Sequence, residues 1–255
     1  MQVSDAIVSK NLEIAPNIYD MTITCPALAQ ACRPGQFIHL KCGDANLLRR
    51  PISVCFADET TVRIVYEAKG KGTNWLASQK EGAVLDIVGP SGNGFSVDED
   101  MPILLIGGGI GVPPMLYTAS KLKDADMIMG YRSEKNVILE DDFRKVCGEV
   151  MVTTDDGSYG FHGHAGMAAA EMLAKKNYGA IYACGPKVML RAIAKMADEK
   201  GIPCLISMEE RMGCGVGACL VCACKAVSPN ELGYTYKHVC KDGPVFNAKD
   251  VIFDD

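Results

Sequence analysis

Four of the cysteines near the C-terminal end are spaced like metal ligands. The chain reads Gly213-Cys214-Gly215-Val216-Gly217-Ala218-Cys219-Leu220-Val221-Cys222-Ala223-Cys224, and Cys240 follows. C-x4-C-x2-C with a remote fourth cysteine is the plant-type [2Fe–2S] pattern, whose chemistry is the passage of single electrons. Cys214, Cys219, Cys222 and Cys240 are the ligand candidates. Cys224 falls outside the pattern and reads as a core residue. The loop must wrap closely around inorganic sulfide and turn its N–H groups inward. Gly213, Gly215, Gly217 and Ala218 leave room for that, and glycine permits positive φ. The alternative is zinc. Zinc ribbons usually offer two C-x2-C knuckles. Here Cys219 and Cys222 form one, while Cys240 has no near partner.

Other short motifs carry phosphate or ring chemistry. Ile106-Gly107-Gly108-Gly109-Ile110-Gly111-Val112-Pro113 follows an apolar run and opens a helical one. Glycines there let the backbone approach a pyrophosphate, with helix N–H groups behind it. The spacing is G-x-G-x-G rather than G-x-G-x-x-G; a tight turn that binds nothing is the lesser alternative, and the position after the first α/β strand weighs against it. Cys184-Gly185-Pro186 ends another apolar run, where loops line the crevice of open α/β sheets. Cys184 is thus either a contact for a nicotinamide or a buried cysteine before a turn. Arg49-Arg50-Pro51-Ile52-Ser53 sets cations before a strand. Arg50 suits a flavin diphosphate and Ser53 an isoalloxazine edge, against the reading of a solvated strand end. Gly70-Lys71-Gly72-Thr73-Asn74-Trp75-Leu76 is a second glycine-rich turn before a short helix, a phosphate cradle or an ordinary loop.

Three segments must position these residues. Up to residue 98 the chain reads as β, with strands expected at 2–12, 19–25, 36–41, 52–57, 61–68 and 84–88. Six short strands with regular turn residues suggest a small Greek-key barrel. Residues 99–206 alternate. Apolar runs at 102–106, 126–130, 150–154, 180–183 and 203–207 suit buried parallel strands, and helices are expected at 113–123, 139–147, 166–176 and 187–200. That order predicts a doubly wound α/β domain. Residues 207–255 form a cysteine-rich tail too short to fold confidently without its cluster.

Bulk properties narrow the function. With 48% hydrophobic and 22% charged residues the chain reads as globular, and a net charge of −5 without a basic run argues against nucleic acid and anionic membrane surfaces. The longest apolar stretch, 101–117, is interrupted by Gly107, Gly108, Gly109, Gly111, Pro113 and Pro114, so no membrane span is expected. The start of the chain lacks the charged and apolar regions of a signal peptide. Twelve cysteines without such a signal suggest a reducing compartment, the cytoplasm. Of the four histidines, His39 and His238 stand alone, and His162 and His164 flank Gly163 as solvent-facing or structural residues. No Ser/His/Asp set or carboxylate pair presents itself, as expected where cofactors do the bond making.

Taken in order, Arg-Pro-Ile-Ser, Gly-Thr before a short helix, Gly-Pro-Ser-Gly-Asn-Gly-Phe at 89–95, the glycine-rich turn and Cys-Gly-Pro resemble the ferredoxin–NADP reductase superfamily. With the cysteine tail, Thr154-Asp155-Asp156-Gly157-Ser158-Tyr159-Gly160 and Met208-Glu209-Glu210-Arg211-Met212-Gly213-Cys214-Gly215, nearly the whole chain resembles electron-transfer subunits of type B dihydroorotate dehydrogenases. The resemblance implies FAD in the barrel, a pyridine nucleotide in the α/β domain and a [2Fe–2S] cluster in the tail. It assigns Arg50, Pro51, Ile52, Ser53, Val65, Tyr66, Glu67, Gly72 and Thr73 to FAD. Gly107, Gly108, Gly109, Gly111, Asp155, Cys184, Gly185 and Pro186 go to NAD, and the four cysteines to the cluster. It implies an NADH-oxidising subunit, unable to oxidise dihydroorotate alone, in a heterotetramer of two and two with an FMN-containing catalytic subunit. Subunits of NADH-dependent ferredoxin–NADP oxidoreductases or sulfhydrogenases are the rival within the same chemistry, and a zinc-stabilised binding module the rival outside it.

Overall fold

The computed structural model describes residues 2–97 and 100–253. Strands β1 (Gln2–Ala15), β2 (Ile18–Thr24), β3 (Phe37–Leu40), β4 (Arg50–Ala57), β5 (Thr61–Glu67) and β6 (Val84–Ser91) close into an antiparallel barrel in the order β1-β2-β5-β4-β3-β6. Their alternating pattern builds it. Met21 and Ile23, Ile38 and Leu40, Val62 and Ile64, and Leu85 and Ile87 point inward and pack as one core. The outward residues of β3, Phe37 and His39, are buried as well, because later parts of the chain cover this face. Helix α1 (Pro26–Ala31), not expected from the sequence, plugs one side with Leu28 and Ala29. Helix α2 (Lys71–Ala77) follows the second glycine-rich turn as expected.

The α/β part holds β7 (Ile103–Gly108), α3 (Pro113–Ala119), β8 (Ala125–Tyr131), α4 (Glu140–Arg144), β9 (Val150–Thr154), β10 (Phe161–His162), α5 (Ala165–Lys175), β11 (Ala180–Cys184), α6 (Lys187–Glu199) and β12 (Cys204–Ser207). Its strands run β10-β9-β8-β7-β11-β12, all parallel. Every residue of β7 and β11 is buried, since helices cover both faces. Leu104, Ile106, Ile128 and Ile181 pack with α5 and α6, while Leu105, Met127, Met129 and Tyr182 pack with α3 and α4. Strand order reverses between β7 and β11, so the glycine-rich turn and the Cys184-Gly185-Pro186 turn stand side by side where ligands of open sheets bind.

The tail contributes a hairpin, β13 (Ala223–Val227) with β14 (Tyr234–His238), and β15 (Val245–Asn247). The last adds antiparallel to β12, so the tail shares a sheet with the nucleotide segment. No helix among the described residues is long and apolar enough to cross a membrane.

Candidate electron-transfer site

The cysteine loop is a cradle of backbone donors. The N–H groups of Val216, Ala218 and Cys219 point at Cys214 Sγ from 3.4, 3.3 and 3.3 Å, and Gly217 N–H points at Cys240 Sγ from 3.1 Å. Led by the Val216 bond, these donors hold the Cys214 thiol down to about 6, toward the thiolate that a metal requires. Cys222 and Cys240 are buried with their sulfurs 3.3 Å apart, too far for a disulfide. Burial pushes Cys240 up to about 12. Among the described residues no three His, Cys, Asp or Glu side chains converge as for a single ion. Instead the thiols are paired, Cys214 with Cys219 and Cys222 with Cys240. Two thiolates per iron suit a two-iron group better than a tetrahedral zinc. Cys224 lies in β13 and packs into the core.

The barrel's outer face forms one wall of a cavity of about 260 Å³. Arg50, Pro51, Ile52 and Ser53 from β4, Val65, Tyr66 and Glu67 from β5, and Thr73 from α2 line it, so the dispersed flavin candidates meet in one place. Gly72 stands just behind, where a methyl group would fall 2.5 Å from Arg50 Nε. Arg50 donates to the Leu48 carbonyl and reaches Asn46 Oδ1 at 3.5 Å. Arg49 turns away, bonding Asp86 through its carbonyl at 2.9 Å and its carboxylate at 2.8 Å. Ile110 from the glycine-rich turn and Met208, Glu209, Met212 and Pro244 from the tail complete the lining.

A larger cleft of about 580 Å³, within the roughly 300–1,000 Å³ of small-molecule sites, adjoins it. Gly108, Gly109, Gly111, Gly185, Pro186 and Asp155 line it, together with Arg132, Asn136 and His164. Gly107 is buried behind the turn. Gly111 packs so tightly that a Cβ would lie 2.4 Å from the Cys184 carbonyl oxygen, which only glycine permits. Cys184 itself lines neither cavity. Its side chain is buried, and burial, helped by the Glu209 charge, pushes its thiol up to about 12. The two cavities share Glu67, Lys69, Ile110 and Glu209, with Lys69 and Glu67 paired at 3.3 Å. Glu209 faces the open crevice, yet protein surrounds its carboxyl and raises its pKa. Lys69, Ile110 and Glu209 were not assigned from sequence, because no local spacing marks residues that three segments bring together.

Two contacts tie the tail to the barrel. Asn93, in the 89–95 motif, receives from Val245 N–H and donates through its own N–H to Gly243 and through Nδ2 to Lys241 and Asp242, at 2.6–3.3 Å. It clasps the segment that follows Cys240. His39 lies across from Pro51, packs edge-on against Phe37 at 5.2 Å and sits against the backbone of Gly215. Its Nε2 is buried without a hydrogen-bond partner, an arrangement that costs about 1–3 kcal/mol. Burial, with the Arg49 charge behind it, lowers its pKa to about 4, so the ring is neutral. His162 and His164 are exposed.

Known proteins share these features. Residues 209–252 match the iron-sulfur cluster binding domain of dihydroorotate dehydrogenase B. The chain is 40% identical over 248 residues to the electron transfer subunit of dihydroorotate dehydrogenase B (NAD(+)) of Caldanaerobacter subterraneus subsp. tengcongensis, covering 97% of this chain and 98% of that one. The subunit of the same name from Bacillus cereus is 40% identical over 267 residues, with 99% of each chain covered. Among solved structures, an NADH-dependent reduced ferredoxin-NADP oxidoreductase is similar at a TM-score of 0.86 and 28% identity, covering 97% of this chain and 90% of that one. The flavohem-like FAD/NAD binding domain of nitric oxide dioxygenase from Vibrio cholerae shares the fold, with a TM-score of 0.66 and 19% identity over 78% of this chain and 93% of that one. The barrel, the nucleotide cleft, the paired thiols and full-length similarity at 40% identity agree, and the chain belongs to the family of electron transfer subunits of dihydroorotate dehydrogenase B.

Proposed function

We propose that this chain carries electrons between NAD(H) and a separate FMN-containing catalytic subunit, through FAD and a [2Fe–2S] cluster, in support of dihydroorotate oxidation to orotate. One observation carries the reading. The cavity beside Arg50–Ser53 is walled by the barrel, by Ile110 of the nucleotide segment and by Met212 and Pro244 of the cysteine tail. A ring system bound there touches all three segments at once. When bound, the nicotinamide and flavin exchange a hydride and the cluster passes single electrons.

Each residue has a role in that scheme. Arg50 neutralises the FAD diphosphate, with Gly72 giving its guanidinium room and Thr73 adding a hydroxyl. Ser53 bonds the isoalloxazine edge, and Pro51, Ile52, Val65, Tyr66 and Glu67 shape its bed. Gly108, Gly109 and Gly111 bring backbone N–H groups to the dinucleotide, with Gly107 holding the turn from behind. Asp155 accepts from an adenosine ribose hydroxyl. Gly185 and Pro186 face the nicotinamide, and Cys184 sets their turn from within the core rather than reacting as a thiolate. Cys214, Cys219, Cys222 and Cys240 hold the cluster.

The partner would dock on the cluster side, where Val216, Leu220 and Val221 are exposed at 43%, 75% and 55%, an apolar rim unusual for free surface. Two copies of each subunit would form a heterotetramer in the cytoplasm, a setting that suits twelve cysteines and no disulfide among the described residues. The purified chain should be brown-yellow and reduce ferricyanide with NADH. A colourless, zinc-containing product without that activity contradicts the proposal.

A further inference from the structure

We propose that His39 is a positioning residue for the cluster, its Nε2–H donating to a cluster sulfur from the barrel side. The inference rests on the cluster assignment above and adds a residue from a distant part of the chain.

Three observations converge on His39. Its ring lies against Gly215, the residue after Cys214, so closely that a Cβ there would fall 2.1 Å from Nε2 and 2.4 Å from Cε1. Its Nε2 is sealed from solvent and has no partner in the protein. Its strand is fixed, since β3 pairs with β4 in a register that sets His39 opposite Pro51 and Phe37 opposite Ser53. Buried polar atoms are seldom left unpaired, and one aimed at a ligand-binding loop marks the place of an acceptor.

The acceptor would be a sulfur of the bound cluster, since no atom of the protein itself accepts from Nε2. The loop itself already gives Cys214 three N–H donors and Cys240 one. All of these come from residues 216–219. His39 approaches from the barrel, the side on which Phe37 and Pro51 line the flavin cavity. A donor placed there does two things. It stabilises the reduced, more negative cluster and so raises its potential. It also registers the loop against the barrel, because Gly215 has φ +68 and no side chain to hold the gap.

The test uses the full-length protein as purified with its cofactors, and compares wild type with His39→Leu and His39→Gln. Leucine fills the space without a donor, and glutamine keeps an N–H. Readouts are iron content, the electron paramagnetic resonance spectrum of the reduced protein, and separate potentials of cluster and flavin. In His39→Leu the cluster potential should shift downward and its spectrum change, with iron content and flavin potential unmoved. His39→Gln should abolish most of that shift and bring the potential back toward the wild-type value. An unchanged cluster potential in His39→Leu overturns the proposal, and so does an equal shift or equal iron loss in both variants, which would mean packing alone. A wild-type protein without a [2Fe–2S] signal would instead overturn the cofactor reading beneath it, a result distinct from a normal signal that His39 does not affect.

Discussion

Cys222 and Cys240 meet at the base of a β-hairpin, their sulfurs 3.3 Å apart across 17 intervening residues. The hairpin accounts for the long gap. β13 leaves Cys222, β14 returns to Cys240, and Val239 N–H closes on the Cys222 carbonyl at 3.0 Å. The hairpin thus brings together two thiols that lie far apart in sequence.

Replacing a thiolate should remove the cluster and leave the flavin. Cys219→Ser and Cys222→Ser should lose iron, while NADH still reduces bound FAD, because the residues proposed to hold FAD come from β4, β5 and α2 and not from the cysteine loop. Cys224→Ser should keep its iron, since that side chain lies on β13 outside the two thiol pairs, Cys214 with Cys219 and Cys222 with Cys240. Iron analysis and electron paramagnetic resonance of the three variants check this.

The two adjacent arginines should separate cleanly. A charge-assisted Arg–phosphate contact is worth about 1.5–3 kcal/mol, or roughly 10–150-fold in affinity, so Arg50→Ala should shed FAD on dilution. Arg49 is engaged by Asp86 instead. Arg49→Ala should cost stability, about 0.2–1 kcal/mol for a partly exposed ion pair, and change FAD affinity little. Fluorimetric titration of released FAD distinguishes them, and equal retention by wild type and Arg50→Ala removes Arg50 from the site.

How much of this was legible follows from which forces set each part. Barrel strands announce themselves where, as in β2, Met21 and Ile23 alternate with Asp20, Thr22 and Thr24. The strands of the α/β part do so because both their faces are buried, as Ile103–Gly108 shows. β14, with Tyr234, Thr235, Tyr236, Lys237 and His238, carries no aliphatic residue, so its pairing with β13 comes from tertiary context. At the site, Arg50 to Ser53 stand out as cations before a strand, whereas Val65 to Glu67 follow only from the family resemblance, and the fold brings both runs to one cavity. Lys69, Ile110 and Glu209 were not legible, because they meet only after folding. His39 reads as a lone histidine until the tail covers it. For Cys184 the sequence leaves a nicotinamide contact and a buried cysteine both open, and in the fold the parallel sheet buries its side chain.

Glycine spacing in the cysteine loop makes its own prediction. Gly215→Ala forces a side chain at φ +68 into the His39 ring and should abolish iron incorporation. Gly213→Ala meets nothing closer than 3.3 Å and has no positive φ, so it should assemble a cluster. Iron per protein after expression under identical conditions decides between them.

Nucleotide choice rests on the loop after β9. Asp155 lines the cleft and would repel a ribose 2′-phosphate while accepting from a 2′-OH. Arg132 lines the same cleft and works the other way. NADH should reduce the flavin faster than NADPH, and Asp155→Ala should narrow the difference. Stopped-flow rates with the two nucleotides test it, and a wild-type preference for NADPH contradicts the assignment.

The central claim is a division of labour between two subunits. Its most direct test mixes the purified chain with the FMN-containing catalytic subunit, adds dihydroorotate and NAD⁺, and follows NADH and orotate together. Equal formation of both is expected only when the two subunits are combined, and none from this chain alone. Orotate produced by this chain alone, or a mixture that makes orotate without reducing NAD⁺, would contradict it.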